Sequence, residues 1–260
     1  MRVCICKFVL KGWGNAMVNN HNGNRNPYNN SCNTYNYPCT CNHRANRNVR
    51  NDEMVYSSNM SPIQDSSIKR GTDGPSLQHG LVEYPLSRAA KCVSYRTECS
   101  YENAYNRCGD VINNSGGLEA EKGFPERGPR NGQIASAGRE FARMLDEQTA
   151  ERWWKNPLST GEQEFIWHLH APHSTDKFEY FITNPNWDPN QPLARSSFNL
   201  TPIKTEYYYG AVPPTRISHT VPIPNYYCGY HIMLAVWTVA DTPNAFYNVI
   251  DLCLHPKTNV

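Results

Sequence analysis

Three histidines stand close together in the segment WHLHAPH, at His168, His170 and His173. Imidazole nitrogens are ligands for both zinc and copper, so metal chemistry is possible here. On a β-strand, His168 and His170 would share one face and could join His173 around a zinc ion. The alternative interpretation is a partly exposed strand face that holds no metal.

The residues around these histidines alternate in the way that half-buried strands do. In EFIWHLH, one face collects Phe165, Trp167 and Leu169, while the other collects Ile166 and the histidines. Three further segments predict strands: KFEYFIT (177–183), HIMLAVWTVA (231–240) and FYNVIDLCL (246–254). The pattern predicts an all-β protein, with an immunoglobulin-like or fibronectin type III-like β-sandwich.

One stretch, from Cys92 to about Trp154, departs from the strand pattern. Within it, GREFARMLDEQTAERWW (138–154) has apolar residues at helical spacing and few β-branched residues. We therefore expect a long, partly helical insertion after the first strand. Insertions of this size usually carry function.

Residues 1–78 differ in composition from the rest of the chain. From residue 18 they are crowded with Asn, Arg, Ser, Tyr and Pro, and without apolar runs they cannot bury enough surface to offset chain entropy. We interpret 1–78 as a disordered or removable leader and 79–260 as one domain, long enough for a single core. The first residues resemble a signal peptide, but Lys7 interrupts the apolar stretch.

Charge and cysteine content narrow the partners and the compartment. The net charge is only +2 and the basic residues are scattered, which argues against nucleic acid as a partner. No segment approaches the ~20 apolar residues that cross a membrane. Ten cysteines favour a secreted, oxidising setting. Four sequons support this setting, at Asn29, Asn59, Asn113 and Asn199. We also expect the protein to be a monomer.

Five segments, which together cover nearly all of residues 79–254, carry a resemblance to a known family. In order they are HGLVEYPLSRAAKC, EKGFPERGPRNGQIASAG, LDEQTAERW, APHSTDKFEYFITNPNWDPNQPLARSSFNLTP and LAVWTVADTPNAFYNVID. A lone His-Gly is uninformative, but the five segments occur in the order of the family. This part of the chain resembles the copper-dependent lytic polysaccharide monooxygenases of the bacterial, chitin-active type.

The resemblance implies one copper ion in a histidine brace. In a brace, the first residue of the mature chain binds copper through its α-amino group and its ring nitrogen, and a second histidine completes the set. By the matching motifs these residues are His79 and His173. Nitrogen donors with open positions suit a copper redox site. The family has other residue types at His168 and His170, so we expect only His173 of the cluster to bind.

The α-amino group of His79 exists only if the peptide bond before it is cut, and 78 residues precede it. Three explanations are open. Processing removes the leader, the start of the reading frame is misassigned, or the protein binds its polysaccharide without oxidising it.

Three more residues match positions around the copper. Phe246 matches the aromatic residue on one axial side, Ala171 matches the small residue over the other, and Glu119 matches the acidic residue that orients the oxygen co-substrate. An apolar axial neighbour keeps a strong ligand away and shapes the redox potential. The alternatives are an ordinary core residue for Phe246 and a solvated carboxylate for Glu119.

In the family, substrate contacts come from a flat face around the metal. Asp241 and Asn244 match polar members of that face, to which Glu119 also belongs. Asn113 replaces the aromatic residue that stacks on a sugar ring. Because Asn113 also begins a sequon, a glycan on it would obstruct the face.

The cysteines allow more than one pairing. Cys92 has two candidate partners, Cys99 and Cys108, and we prefer Cys108 because it immediately precedes the loop with the acidic residue. Cys228 and Cys253 could form another pair, although connectivity cannot be deduced from sequence.

The resemblance implies an enzyme that oxidises C1 of the β-1,4-linked N-acetylglucosamine chains of crystalline chitin. It would use an external electron donor and hydrogen peroxide or dioxygen as co-substrate. Two alternatives keep the same fold: a non-catalytic chitin-binding protein or adhesin that retains the leader, and a cellulose-active relative. N-terminal sequencing, copper titration and product analysis discriminate among them.

Overall fold

The computed structural model describes residues 80–257 and, before them, only residues 5–6, 39 and 41–42. Two α-helices follow the first strand of the domain, α1 (Arg88–Glu98) and α2 (Tyr101–Cys108), and 3-10 turns span Gly109–Asn113, Glu140–Asp146 and Arg195–Ser197. The strands are β1 (Ile5–Cys6), β2 (Cys41–Asn42), β3 (Gly80–Tyr84), β4 (Glu119–Glu121), β5 (Asn156–Ser159), β6 (Gly161–Leu169), β7 (Thr175–Ile182), β8 (Lys204–Tyr207), β9 (Arg216–Ile223), β10 (Gly229–Val239) and β11 (Asn244–His255).

Two sheets form a β-sandwich, which confirms the predicted fold class. The larger sheet has the order β4-β11-β10-β7-β8, and β5 joins β11 in parallel. The smaller sheet has the order β3-β6-β9 and is antiparallel. Outside the sandwich, β1 pairs with β2.

The core between the sheets is aromatic. The predicted inward face of β6 is confirmed, because Phe165, Trp167 and Leu169 are all fully buried there. Trp167 donates a hydrogen bond from Nε1 to the Tyr180 hydroxyl at 2.9 Å, and its ring lies 6.5 Å from that of Trp237. Buried aromatic pairs of this kind add to the free energy of area burial.

β10 and β11 are buried on both faces because the insertion covers the outer side of the larger sheet. A partly helical insertion is confirmed, but the predicted position of its helix is wrong. The segment 138–154 forms only one 3-10 stretch and turns, and both α-helices come earlier. Tertiary hydrogen bonds replace helical ones there: Arg88 donates to the Leu145 carbonyl, and Asp146 accepts from the Ser136 amide.

The P-x-S-R pattern near the start of the domain anchors α1. Ser87 caps the helix, since its hydroxyl accepts a hydrogen bond from the Ala90 amide at 3.2 Å. Arg88 points into the core and forms a bidentate ion pair with Asp251 of β11. Its Nε atom donates to Oδ2 at 2.9 Å, and its Nη2 atom donates to Oδ1 at 2.8 Å. The Arg88 guanidinium also lies 4.8 Å from the Trp153 ring centroid. Both residues therefore have structural roles.

The disulfides confirm one predicted pair and correct another. Cys92 is bonded to Cys108, as preferred, and this bond joins α1 to α2. Cys253 is bonded to Cys39, 214 residues earlier, so the pair Cys228–Cys253 does not form. Cys253 stands opposite Tyr230 in the ladder. Cys228 comes two residues before Tyr230, so it would be at best a diagonal neighbour of Cys253. Diagonal neighbours across strands are about 7–8 Å apart, which is too far for a disulfide.

Cys99 and Cys228 each belong to a disulfide as well. None of the helices in the described part of the chain has both the length and the apolar character to span a bilayer.

Candidate active site

His173 lies in the turn between β6 and β7, two residues after Ala171, and both residues are half-buried. Its ring is nearly parallel to that of Phe246, at 6.0 Å between centroids and 19° between planes. The Trp237 ring is 5.7 Å away. The imidazole therefore closes one end of the aromatic core and keeps part of its surface in solvent.

Hydrogen bonds fix the backbone around His173. The Thr175 hydroxyl donates to the His173 carbonyl at 2.9 Å and accepts from Trp237 Nε1 at 2.8 Å. The Ser174 carbonyl accepts from the Ala240 amide at 2.8 Å. The turn that carries His173 is thus held both to the buried indole and to the β10–β11 connection.

His79 lies outside the described residues, and its neighbour Gly80 is the first residue of β3. A Cβ atom on Gly80 would lie 2.5 Å from Leu169 Cδ2 and 3.1 Å from Trp237 Cζ3. Only glycine allows such an approach. The domain therefore begins against the same Trp237 ring that contacts His173.

Glu119 and Asn244 meet beside Phe246. Glu119 is the direct partner of Phe246 in the β4–β11 ladder. The Asn244 amide donates from Nδ2 to Glu119 Oε1 at 2.8 Å, and both side chains are half-buried. The carboxylate is therefore held in one orientation beside the ring, unlike a freely solvated surface group.

Asp241 is exposed in the β10–β11 turn, whose shape depends on a lysine that the sequence did not single out. Lys122 donates from Nζ to the carbonyls of Val239 and Thr242, at 3.0 and 2.6 Å. These contacts hold the turn against the end of β4. The sequence shows a lysine directly after β4, but it does not show that the Val239 and Thr242 carbonyls lie beside it, because strand register brings these residues together.

Asn113 is exposed at the end of a 3-10 turn. Its Nδ2 atom donates to the Tyr101 hydroxyl at 2.9 Å and to Asp110 Oδ1 at 2.8 Å. Tyr101, on α2, is 50% exposed. The aromatic ring of Tyr101 therefore lies beside Asn113, the position at which the family has an aromatic residue. The sequence did not reveal this neighbour, because the packing of α2 brings it there.

Of the other two histidines of WHLHAPH, His168 lies on the outer face of β6 and His170 lies just beyond the end of that strand, with 4.3 Å between the two ring centroids. His168 lies 3.9 Å from Glu83. Among the residues that the structure describes, no group of three or more His, Cys, Asp or Glu side chains is arranged to hold a metal. His173 faces the aromatic core and is not part of this outer pair.

Two further histidines belong to the core. Burial lowers the pKa of His219 and of His231 to about 4 in each case. Nδ1 of His219 is 2.7 Å from the Tyr180 hydroxyl, and Nδ1 of His231 is 3.0 Å from the Thr183 hydroxyl. Both rings are neutral at pH 7 and serve as internal hydrogen-bond partners.

The sequence matches a family model over residues 79–252, and the description of that model is lytic polysaccharide mono-oxygenase, cellulose-degrading. The chain belongs to this family. The match covers the whole sandwich except its last residues, so the family assignment and the fold concern the same part of the chain.

Solved structures of the lytic polysaccharide monooxygenase family support the assignment. An AA10 enzyme from Photorhabdus luminescens is 44% identical, with a TM-score of 0.64 over 69% of this chain and 100% of that one. A CBM33 protein from Bacillus amyloliquefaciens, in complex with Cu(I), is 42% identical, with a TM-score of 0.65 over 68% and 99%.

Curated relatives of this family member carry the name GlcNAc-binding protein A. One from Vibrio cholerae O395 is 47% identical over 190 residues, which are 71% of this chain and 39% of that protein. One from Vibrio vulnificus YJ016 is 43% identical over 181 residues, or 69% and 37%. The chain thus spans under two fifths of the length of these relatives.

The residues of the candidate site fit a copper ion in their chemistry. His173 supplies an imidazole with a fixed backbone, and the apolar ring of Phe246 lies parallel to it. An imidazole beside an apolar surface suits copper better than it suits calcium or magnesium, because those two ions prefer oxygen ligands. One imidazole is not a site, so further donors must come from a residue such as His79.

Proposed function

We propose that residues 79–260 form a secreted, monomeric, copper-dependent enzyme that cleaves crystalline chitin by oxidation at C1, once His79 is the first residue. The observation that carries this proposal is the meeting of Gly80 and His173 on the Trp237 ring. This meeting supports the proposal because Gly80 directly follows His79, the other ligand that a brace would need.

His79 and His173 would hold the copper. When bound, the metal supplies one-electron redox chemistry, with an external electron donor and with hydrogen peroxide or dioxygen. Phe246 would keep a strong ligand away from the metal, because its ring offers no donor atom. Ala171 would leave space for the co-substrate, which a larger side chain would restrict.

Glu119 would position the oxygen co-substrate. Its Oε1 atom already accepts from Asn244, which leaves the second carboxylate oxygen to accept or carry a proton. Asp241 and Asn244 would bind the polar groups of the sugar chain, and Lys122 keeps their turn in shape.

Chitin is the proposed substrate because the curated relatives are named for GlcNAc binding. The family model is described as cellulose-degrading, so cellulose is the competing substrate. Mass spectrometry of the products released from each polymer separates the two. Aldonic acids of chito-oligosaccharides are expected, and oxidised cello-oligosaccharides alone would contradict the choice of chitin.

Non-catalytic chitin binding with the leader retained is the second candidate. The Cys39–Cys253 disulfide favours it, because this bond attaches the N-terminal segment to the domain. N-terminal sequencing of secreted protein decides between the two. A mature protein in which no polypeptide starts at His79 would support binding without oxidation.

Copper titration tests the enzyme directly. For protein that starts at His79, we expect one tight Cu(II) site and a loss of at least about 100-fold in affinity, or about 2.8 kcal/mol, in His173→Ala. His168→Ala is the matched control, since its ring lies on the outer face of β6. Equal copper affinity for the His173→Ala variant and the unmodified protein would refute the assigned ligand set.

A further inference from the structure

Two tyrosines stand out in solvent where the chain leaves β8. Tyr209 is 84% exposed and Tyr207 is 54% exposed. Their rings are nearly parallel, with 5.5 Å between centroids and 17° between planes. The pair therefore presents aromatic surface to the outside, where burial in the core cannot account for it.

The backbone at Tyr209 is in an unfavourable conformation. Its φ of 51° lies in the left-handed region, which costs a bulky residue energy that glycine does not pay. Neighbouring hydrogen bonds hold the turn in place: the Gly210 amide donates to the Thr175 carbonyl at 2.7 Å, and the Ala211 amide donates to the Tyr208 carbonyl at 2.9 Å. A strained position that keeps an exposed aromatic ring points to a use for that ring.

This turn is joined directly to the candidate active site. Ser174, next to His173, donates from Oγ to the Gly210 carbonyl at 2.7 Å. The Ser174 carbonyl accepts from Ala240, beside Asp241. One residue therefore links the tyrosine turn to the β10–β11 turn, so both lie at the same end of the sandwich.

Strand register gives the width of this end. Phe246 lies opposite both Glu119 and Trp237, Trp237 opposite Phe178, and Phe178 opposite Glu206. Five strands at about 4.8 Å spacing place β8 about 19 Å from β4. Tyr207 follows Glu206, so the tyrosine pair and Glu119 stand at opposite edges with His173 between them.

We propose that Tyr207 and Tyr209 form a sugar-stacking platform that binds the pyranose rings of the β-1,4-linked polysaccharide at a distance from the copper ligands. The inference rests on the proposed function and adds a binding subsite to it. Aromatic faces stack on the C–H faces of sugars, and the tyrosine hydroxyls can bond to sugar hydroxyls. The platform supplies, on the β8 side, the aromatic contact that Asn113 does not supply near β4.

The charges around the pair favour an uncharged polymer. The nearby lysines are neutralised, because Lys177 pairs with Glu179 at 3.1 Å and Lys204 pairs with Glu206 at 2.8 Å. The turn itself is held by the backbone, because the amides of Tyr208 and Tyr209 donate to the Asp176 carbonyl. An anionic partner such as a lipid headgroup or a phosphate would find no free lysine among these residues.

Binding isotherms on insoluble chitin test the platform. In the full, processed protein we expect Tyr209→Gly to weaken binding by about 3- to 10-fold, and Tyr209→Phe to keep it. Glycine removes the ring and accepts the positive φ, so the turn keeps its shape. Tyr226→Ala is the matched control, because Tyr226 is 68% exposed and stacked on Tyr227 before β10, at the other end of the strands.

The outcomes separate the platform from the proposed function. Unchanged binding in Tyr209→Gly, in a protein that binds chitin and releases oxidised products, overturns the platform alone. An equal loss in Tyr226→Ala also overturns it, because the effect would then be general to exposed rings. If the unmodified protein binds neither chitin nor cellulose, the proposed function fails and the platform fails with it. Copper affinity should be the same in all the variants.

Discussion

At the scale of single residues, the candidate site is fixed by a few specific hydrogen bonds. Asn244 orients Glu119, Thr175 holds the carbonyl of His173, and Tyr101 receives a bond from Asn113. Each such bond contributes about 1 kcal/mol to stability, so its main effect is on orientation. We expect the position of Asn113 to matter most for substrate binding, because it matches the position of the family's stacking residue.

Asn113→Tyr should raise affinity for chitin by about 3- to 10-fold, since it restores a ring beside the exposed Tyr101. Binding isotherms with unglycosylated protein measure the gain. Asn113→Ala is the control, because it removes the sequon and both Nδ2 hydrogen bonds without adding a ring. A Tyr variant that binds no better than the Ala variant would count against placing Asn113 on the substrate face.

At the scale of elements, the sheet and the insertion depend on a buried ion pair. Arg88 starts α1, Asp251 lies in β11, and both side chains are almost fully buried. The Tyr230 hydroxyl donates to Asp251 Oδ1 at 2.6 Å, so the carboxylate serves two partners. Removing one member of a buried pair leaves an uncompensated charge in a region of low dielectric.

Arg88→Ala should therefore lower the free energy of unfolding by about 3–5 kcal/mol. Arg143→Ala is the matched control, because Arg143 pairs with Glu140 at 3.0 Å with both side chains exposed, and its loss should cost under about 1 kcal/mol. Urea unfolding measures both. Similar losses in the two variants would show that the Arg88 pair contributes no more than a surface pair.

The strands could be predicted from sequence because each buries a regular face, as Phe165, Trp167 and Leu169 do. The helix expected around Phe141 could not be predicted correctly from sequence, since Arg88, which is distant in sequence, takes the Leu145 carbonyl that a helix would use. Motifs gave the ligand candidates. Tyr209 and Lys122 were not singled out from the sequence, because only the tertiary fold brings them to the same end of the sandwich as His173.

At the scale of the whole molecule, the Cys39–Cys253 bond attaches the N-terminal segment to β11, the last strand. Cys253 lies near the end of β11, and Phe246 lies near its start, so the attachment point is about 24 Å along the strand from the candidate site. The disulfide itself therefore lies away from the face around His173.

Cleavage before His79 should yield two polypeptides that stay together until reduced. Electrophoresis should show one band without reductant and two bands with it, while protein expressed from His79 onward should show one band in both. Digestion without reduction, followed by mass spectrometry, should recover a peptide pair joined through Cys39 and Cys253. Two separate chains in the absence of reductant would contradict the bond.

The bond also makes the choice of electron donor a structural matter. Thiolates exchange with disulfides, whereas a donor without a thiol has no sulfur nucleophile for that reaction. Cys253 is only 8% exposed, so exchange at its sulfur is hindered. A thiol donor would therefore both reduce the metal and react with the Cys39–Cys253 disulfide. Electrons offered by a non-thiol donor would start turnover and leave the cleaved segment attached.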